Sequence, residues 1–175
     1  MDALAHAPAR SPWRSYLLEA KCEFLRMLPI VHEAGMPALV ITYRNDLGNP
    51  QDPSGRFGYG ATEWPDLEAA VDWALAEGAQ NVVLMGNSMG GALVAAFLRN
   101  SDRADSVTGV VLDSAMLDLD AAVQLGASQT SLPVVGLPVP DSLVWSAERI
   151  AGARYGIDWA AVDYVSDPAW LRVPA

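Results

Sequence analysis

Cysteine is almost absent from this chain. Cys22 is the single thiol among 175 residues, so no internal disulfide forms and nothing points to an oxidising compartment. It falls with Leu18, Leu25 and Leu28 at helical spacing, which reads as a buried helix position rather than a reactive thiol. Basic residues are scarce too. Eleven Lys and Arg against 21 Asp and Glu give a net charge of −10, a balance that argues against nucleic acid and anionic membrane surfaces as partners. No apolar run reaches the roughly 18 residues of a membrane span. The start, Met1 to His6, lacks the basic-then-apolar pattern of a secretory leader. These absences leave a cytoplasmic location as the default. No His, Cys or carboxylate spacing suits a metal. No G-x-G-x-x-G occurs, and Gly86 to Ala92 has no lysine for a phosphate, so a Rossmann or P-loop reading fails.

What is present is a chain with 51% hydrophobic and 18% charged residues. That is a globular composition, and the length fits a single domain over residues 1–175. Its centre is Val82-Val83-Leu84-Met85-Gly86-Asn87-Ser88-Met89-Gly90-Gly91-Ala92. A short β-rich run meets a Gly86-x-Ser88-x-Gly90 turn, and a small-residue helix follows. This is the nucleophile-elbow pattern. The turn holds Ser88 in a strained conformation at the tip of a strand, and side chains at 86 and 90 would collide with it. The helix opening at Met89 aims free N–H groups and a positive dipole end at the same place, so the Met89 N–H suits a developing oxyanion. An ordinary strand-to-helix loop with a capping serine is the plainer alternative.

Around this centre the chain reads in order. Residues 1–12 are Ala- and Pro-rich and unpatterned, which predicts a disordered end. Helical periodicity runs from Leu17 to Ala34, with Pro29 as a kink or restart and Gly35 as the stop. Ala38 to Tyr43 predicts a buried strand. Arg44 to Gly60 is a polar loop. Thr62 or Asp66 caps a helix running to about Glu77, with Pro65 in its first turn. Val107 to Leu112 predicts a third strand, ending at Asp113-Ser114. Strands alternating with helices imply a doubly wound, mainly parallel sheet of at least three strands, with helices on both faces. Beyond residue 115 the pattern is helical: Leu117 to Ala127, then Asp141 to Tyr155 after a Pro-rich stretch, then a weaker helix from Ile157 to Val165.

Four stretches together carry a resemblance: Gly35 to Asp46, Tyr59 to Trp64, Gly86-Asn87-Ser88-Met89-Gly90-Gly91, and Val110 to Ser114. On these the chain is similar to the α/β-hydrolase superfamily, in its bacterial branch of serine-aminopeptidase or lysophospholipase-like serine hydrolases. The similarity covers Arg26 to Pro174. It implies a partial α/β-hydrolase fold, with the three strands as the fourth, fifth and sixth of the usual sheet. It implies Ser88 as nucleophile, Met89 as one oxyanion donor, residues 117–165 as a cap-like helical segment, a small-molecule ester, amide or lipid-ester substrate, and no cofactor.

The superfamily orders its triad as Ser, then acid, then His, whereas His6 and His32 both precede Ser88. The His-Gly loop that supplies the second oxyanion donor is missing as well. The expectation is a fragment lacking the triad His and acid, impaired as an enzyme, or else a non-catalytic binding protein. Such a chain would expose sheet edges and self-associate. His32 reads as a helix-end residue and His6 as part of the loose N-terminus. Asp113 stands where some relatives hold their acid but reads first as a structural carboxylate. Asp158 and Asp163 read as solvated. Arg44, Asn45 and Asp46 read as ordering their loop through an internal ion pair, and Trp64 and Trp73 as packing residues.

Overall fold

A computed structural model describes residues 27–131 and 139–174. The sequence-predicted helix over 17–34 is described only at its end, as α1, Leu28–Glu33. Pro29 sits in the first turn, where its missing N–H is no loss. Gly35 then takes φ +69 and ends the helix as expected. Cys22 and the predicted disordered end lie outside the described residues.

The predicted strand over 38–43 is not a strand. Residues 36–43 carry no ladder, and Ala38 to Val40 are exposed while Ile41 and Tyr43 lean on the core. Composition there suits β structure, but a strand exists only through hydrogen bonds to a neighbour. The described sheet offers none, because it contains only β1, Val82–Asn87, and β2, Val107–Asp113, paired parallel with Leu84 opposite Val110 and Asn87 opposite Asp113. The at-least-three-strand sheet is therefore two strands among the described residues.

Helix α2, Trp64–Ala76, has no side-chain cap. Neither Thr62 nor Asp66 fills that role, because Asp66 is drawn to Arg44 instead. Leu67 and Val71 are its buried face. Helix α3, Met89–Asn100, packs on β1 and against α2. Every residue from Gly91 to Leu98 is buried. Ala92, Ala95 and Ala96 let it approach closely, and Phe97 fills the space beneath with no exposed surface. The described helices cover one sheet face. On the other, Val83 is 54% and Val111 41% exposed, so helices on both faces are not seen among the described residues. No described helix is long and apolar enough to cross a membrane.

The C-terminal half is helical over α4, Leu119–Ser128, and α5, Asp141–Tyr155. Asp118 caps α4 by accepting the Ala121 N–H, and Gly156 closes α5 at φ +71. The two helices meet where Gln124 Nε2 donates to Glu148 Oε1 at 3.0 Å. Burial, and then the neighbouring Asp120, push the Glu148 carboxyl above its usual range. The weaker predicted helix over 157–165 is absent. Asp158 and Asp163 spend their carboxylates on N–H groups of their own turns. The Tyr164 N–H reaches the Leu117 carbonyl at 2.8 Å, which draws the segment against the exit of β2 instead.

Candidate functional site

β1 delivers Ser88 to the carboxyl end of the sheet. Ser88 has φ 48 and ψ −119, a backbone conformation rarely populated by a residue with a side chain, and Met89 begins α3 immediately after it. Two glycines make this possible. A Cβ on Gly86 would strike the Gly90 carbonyl oxygen, and one on Gly91 would strike the Ala115 side chain. The strand, the turn and the exit of β2 thus touch backbone to backbone.

Hydrogen bonds fix the strained residue from both sides. The Ser88 N–H donates to the Asp113 carbonyl at 3.1 Å, and the Ser88 carbonyl accepts from Gly91 at 3.0 Å and Met116 at 2.9 Å. The side chain is exposed, and its hydroxyl makes no hydrogen bond among the described residues. The Met89 N–H, first in its helix, also has no described acceptor. It stands at the positive end of α3, beside the serine.

Ser88 opens into a groove of about 570 Å³. Its floor is Ser114 to Leu117 at the exit of β2. Asp118 and Ala122, one turn apart, form one wall, and Val165 forms another. Ser114 is a second strained serine, at φ 49, and its hydroxyl donates to Asp113 Oδ1 at 3.1 Å. Sequence alone gives Ser114 no part in the site, since it has no flanking glycine signature, and marks Gly91 only by its place beside Gly90.

The other sequence candidates fall elsewhere. His32 is exposed in the last turn of α1 and does not line the groove. His6 lies outside the described residues. Asp113 takes the Ser114 hydroxyl, as a structural carboxylate does. Asp163 accepts the Val165 and Ser166 N–H groups, and its hydrogen bonds there hold it below the usual carboxylate range. Trp64 packs on the core, whereas Trp73 is 55% exposed and so is not the packing residue expected. Among the described residues no group of His, Cys, Asp or Glu has the arrangement of a metal site.

Arg44 does make an ion pair, but with a helix rather than within its own loop. Its Nε and Nη2 reach the two Asp66 oxygens at 2.8 and 2.7 Å. Asn45 ties the loop together by donating to the Arg56 carbonyl and accepting from Asp52. The hydrogen bonds from Arg44 hold Asp66 below the ordinary carboxylate value. The stability they confer is complete above that value and disappears as pH falls through the lowered one. Asp66→Asn is expected to destabilise the fold by about 1 kcal/mol at pH 7, a bidentate pair discounted for its partial exposure. It should also flatten the acid limb of stability against pH, checked by urea melts from pH 7 downward.

A family model described as serine aminopeptidase, S33, matches residues 63–172, from the start of α2 through the groove to the C-terminal turns. No curated protein matches, and no solved structure does. The match covers more than half of the chain and spans the elbow whose geometry is given above, and the chain belongs to the serine aminopeptidase S33 family of the α/β-hydrolase superfamily.

Proposed function

We propose that this chain carries the nucleophile of a serine hydrolase acting on carboxylic ester, amide or lipid-ester bonds. The observation that carries the reading is Ser88 itself, held at φ 48 with an exposed hydroxyl at the N-terminus of α3. In the reaction Ser88 Oγ bonds to the carbonyl carbon while the carbonyl π pair moves to oxygen. The Met89 N–H donates to that oxyanion. The serine proton passes to a base, then to the departing alcohol or amine as the tetrahedral centre collapses. Water repeats the sequence on the acyl-serine and releases the acid.

The base is the weak point. No histidine follows Ser88 in the sequence, and no described histidine lines the groove. A serine hydroxyl without a partner stays protonated near neutral pH. Where a triad member is removed from a well-formed serine protease, roughly 10³- to 10⁴-fold catalysis over water survives through the oxyanion hole and binding. This chain should show less than that.

A fluorophosphonate probe followed by peptide mapping tests the reading. The expected result is slow labelling confined to Ser88, accelerated by added imidazole and abolished in Ser88→Ala. Equal labelling of the wild type and Ser88→Ala would overturn it. A second reading, a non-catalytic binding protein, draws on the Ser88 hydroxyl, which has no partner among the described residues. It gains if no label appears while ligands still enter the groove.

A further inference from the structure

The groove beside Ser88 has a charge as well as a shape. Apart from the serines its lining is apolar except for one side chain, Asp118. One Asp118 oxygen, Oδ1, accepts the Ala121 N–H at 2.9 Å, and no described donor reaches the other. None of the described arginines donates to it. Arg44 and Arg103 pair with Asp66 and Asp72, Arg99 and Arg172 donate to backbone carbonyls, and Arg56, Arg149 and Arg154 stack on aromatic rings. No described cation lines the groove. A carboxylate or phosphate on a ligand lying against Asp118 meets a like charge that no described cation offsets.

We propose that Asp118 is a specificity-determining residue, which admits neutral and cationic ligands with an apolar acyl body and rejects anionic ones. The inference rests on reading the groove as the place where the acyl group lies. Two unit charges about 6 Å apart in water-like surroundings interact enough to shift binding roughly threefold, so exchanging cation for anion gives about tenfold. The net charge of −10 also repels anions from the whole surface. The local effect differs in that it depends on one residue.

The test is binding and needs no turnover. Decyltrimethylammonium, decanol and decanoate are titrated into the whole chain, and the backbone amide signals of Ser114 to Leu117 are followed by NMR. The expected order is ammonium, then alcohol, then carboxylate, with about tenfold between the ends and a smaller spread in high salt. Asp118→Asn keeps the helix cap, since Asn caps as well as Asp, and should shrink the spread to about threefold or less. Asp118→Lys should reverse the order. Equal binding of the three ligands by the wild type, or a spread unchanged in Asp118→Asn, would overturn the proposal. The same order in Ser88→Ala, together with absence of label on wild-type Ser88, removes the hydrolase reading and leaves the charge selection standing.

Discussion

Replacing Gly86 by alanine is expected to destabilise the chain by about 3 kcal/mol or more and to abolish reaction at Ser88. Overpacking a fitted interior usually costs about 1 to 3 kcal/mol because side chains or backbone must shift. Here the obstacle is the Gly90 carbonyl group, with the Gly91 nitrogen 2.6 Å from the new carbon, and backbone at the start of α3 has no rotamer to change. The strand can accept the methyl only by separating from the helix, which dismantles the bend that exposes Ser88. Gly126 is the control. A Cβ there meets nothing within 4 Å, it lies inside α4, and Gly126→Ala should stabilise by roughly 0.5 to 1 kcal/mol. Urea melts of both variants beside the wild type measure the contrast. A Gly86→Ala protein with wild-type stability and labelling would contradict the close approach described here.

Glu63→Ala should have an effect of similar size for a different reason. Glu63 has no exposed surface. Its two oxygens accept the Gly58 N–H at 2.7 Å and the Gly60 N–H at 3.0 Å, and Tyr59 between them is held at φ 51. Truncation leaves two N–H groups without their acceptor in a buried place, at about 1 to 3 kcal/mol each where no water enters. We expect a loss of about 3 kcal/mol in urea melts. Glu63→Gln keeps the shape and one acceptor oxygen, and should lose about half as much. Equal losses in the two variants would mean that the carboxyl oxygens are not what holds this turn.

These residues also show what the amino-acid order reveals and what it hides. The elbow is legible because its causes are local. A β-rich run, glycines at fixed offsets and a small-residue helix lie within twenty positions, and Ser88 adopts the strained conformation that they require. Helix α5 is legible for the same reason, bounded by Pro140 and Gly156. The segment over 38–43 misleads because β-forming composition cannot say whether a neighbour is there to pair with. Asp66 misleads because its partner, Arg44, lies 22 residues earlier. Residues 157–165 mislead because Asp158 and Asp163 bond to their own backbone and compete with the helix. Glu63 gave no signal at all, since a glutamate before a helix is ordinarily solvated and nothing near it announces a buried turn.

The arrangement around Ser88 also decides where its rigidity comes from. β1 has a described ladder partner on one side alone, so alternate amides along it turn toward solvent, as far as the described residues go, and can trade their hydrogens with it. A ribbon tethered along one margin is a poor anvil. What steadies the serine is a tripod of backbone bonds to Asp113, Met116 and Gly91, with one foot on the last residue of β2, one beyond it and the third on the first turn of α3. Two of the three contacts thus stand outside the ladder, and fraying along the open margin of β1 need not reach the hydroxyl.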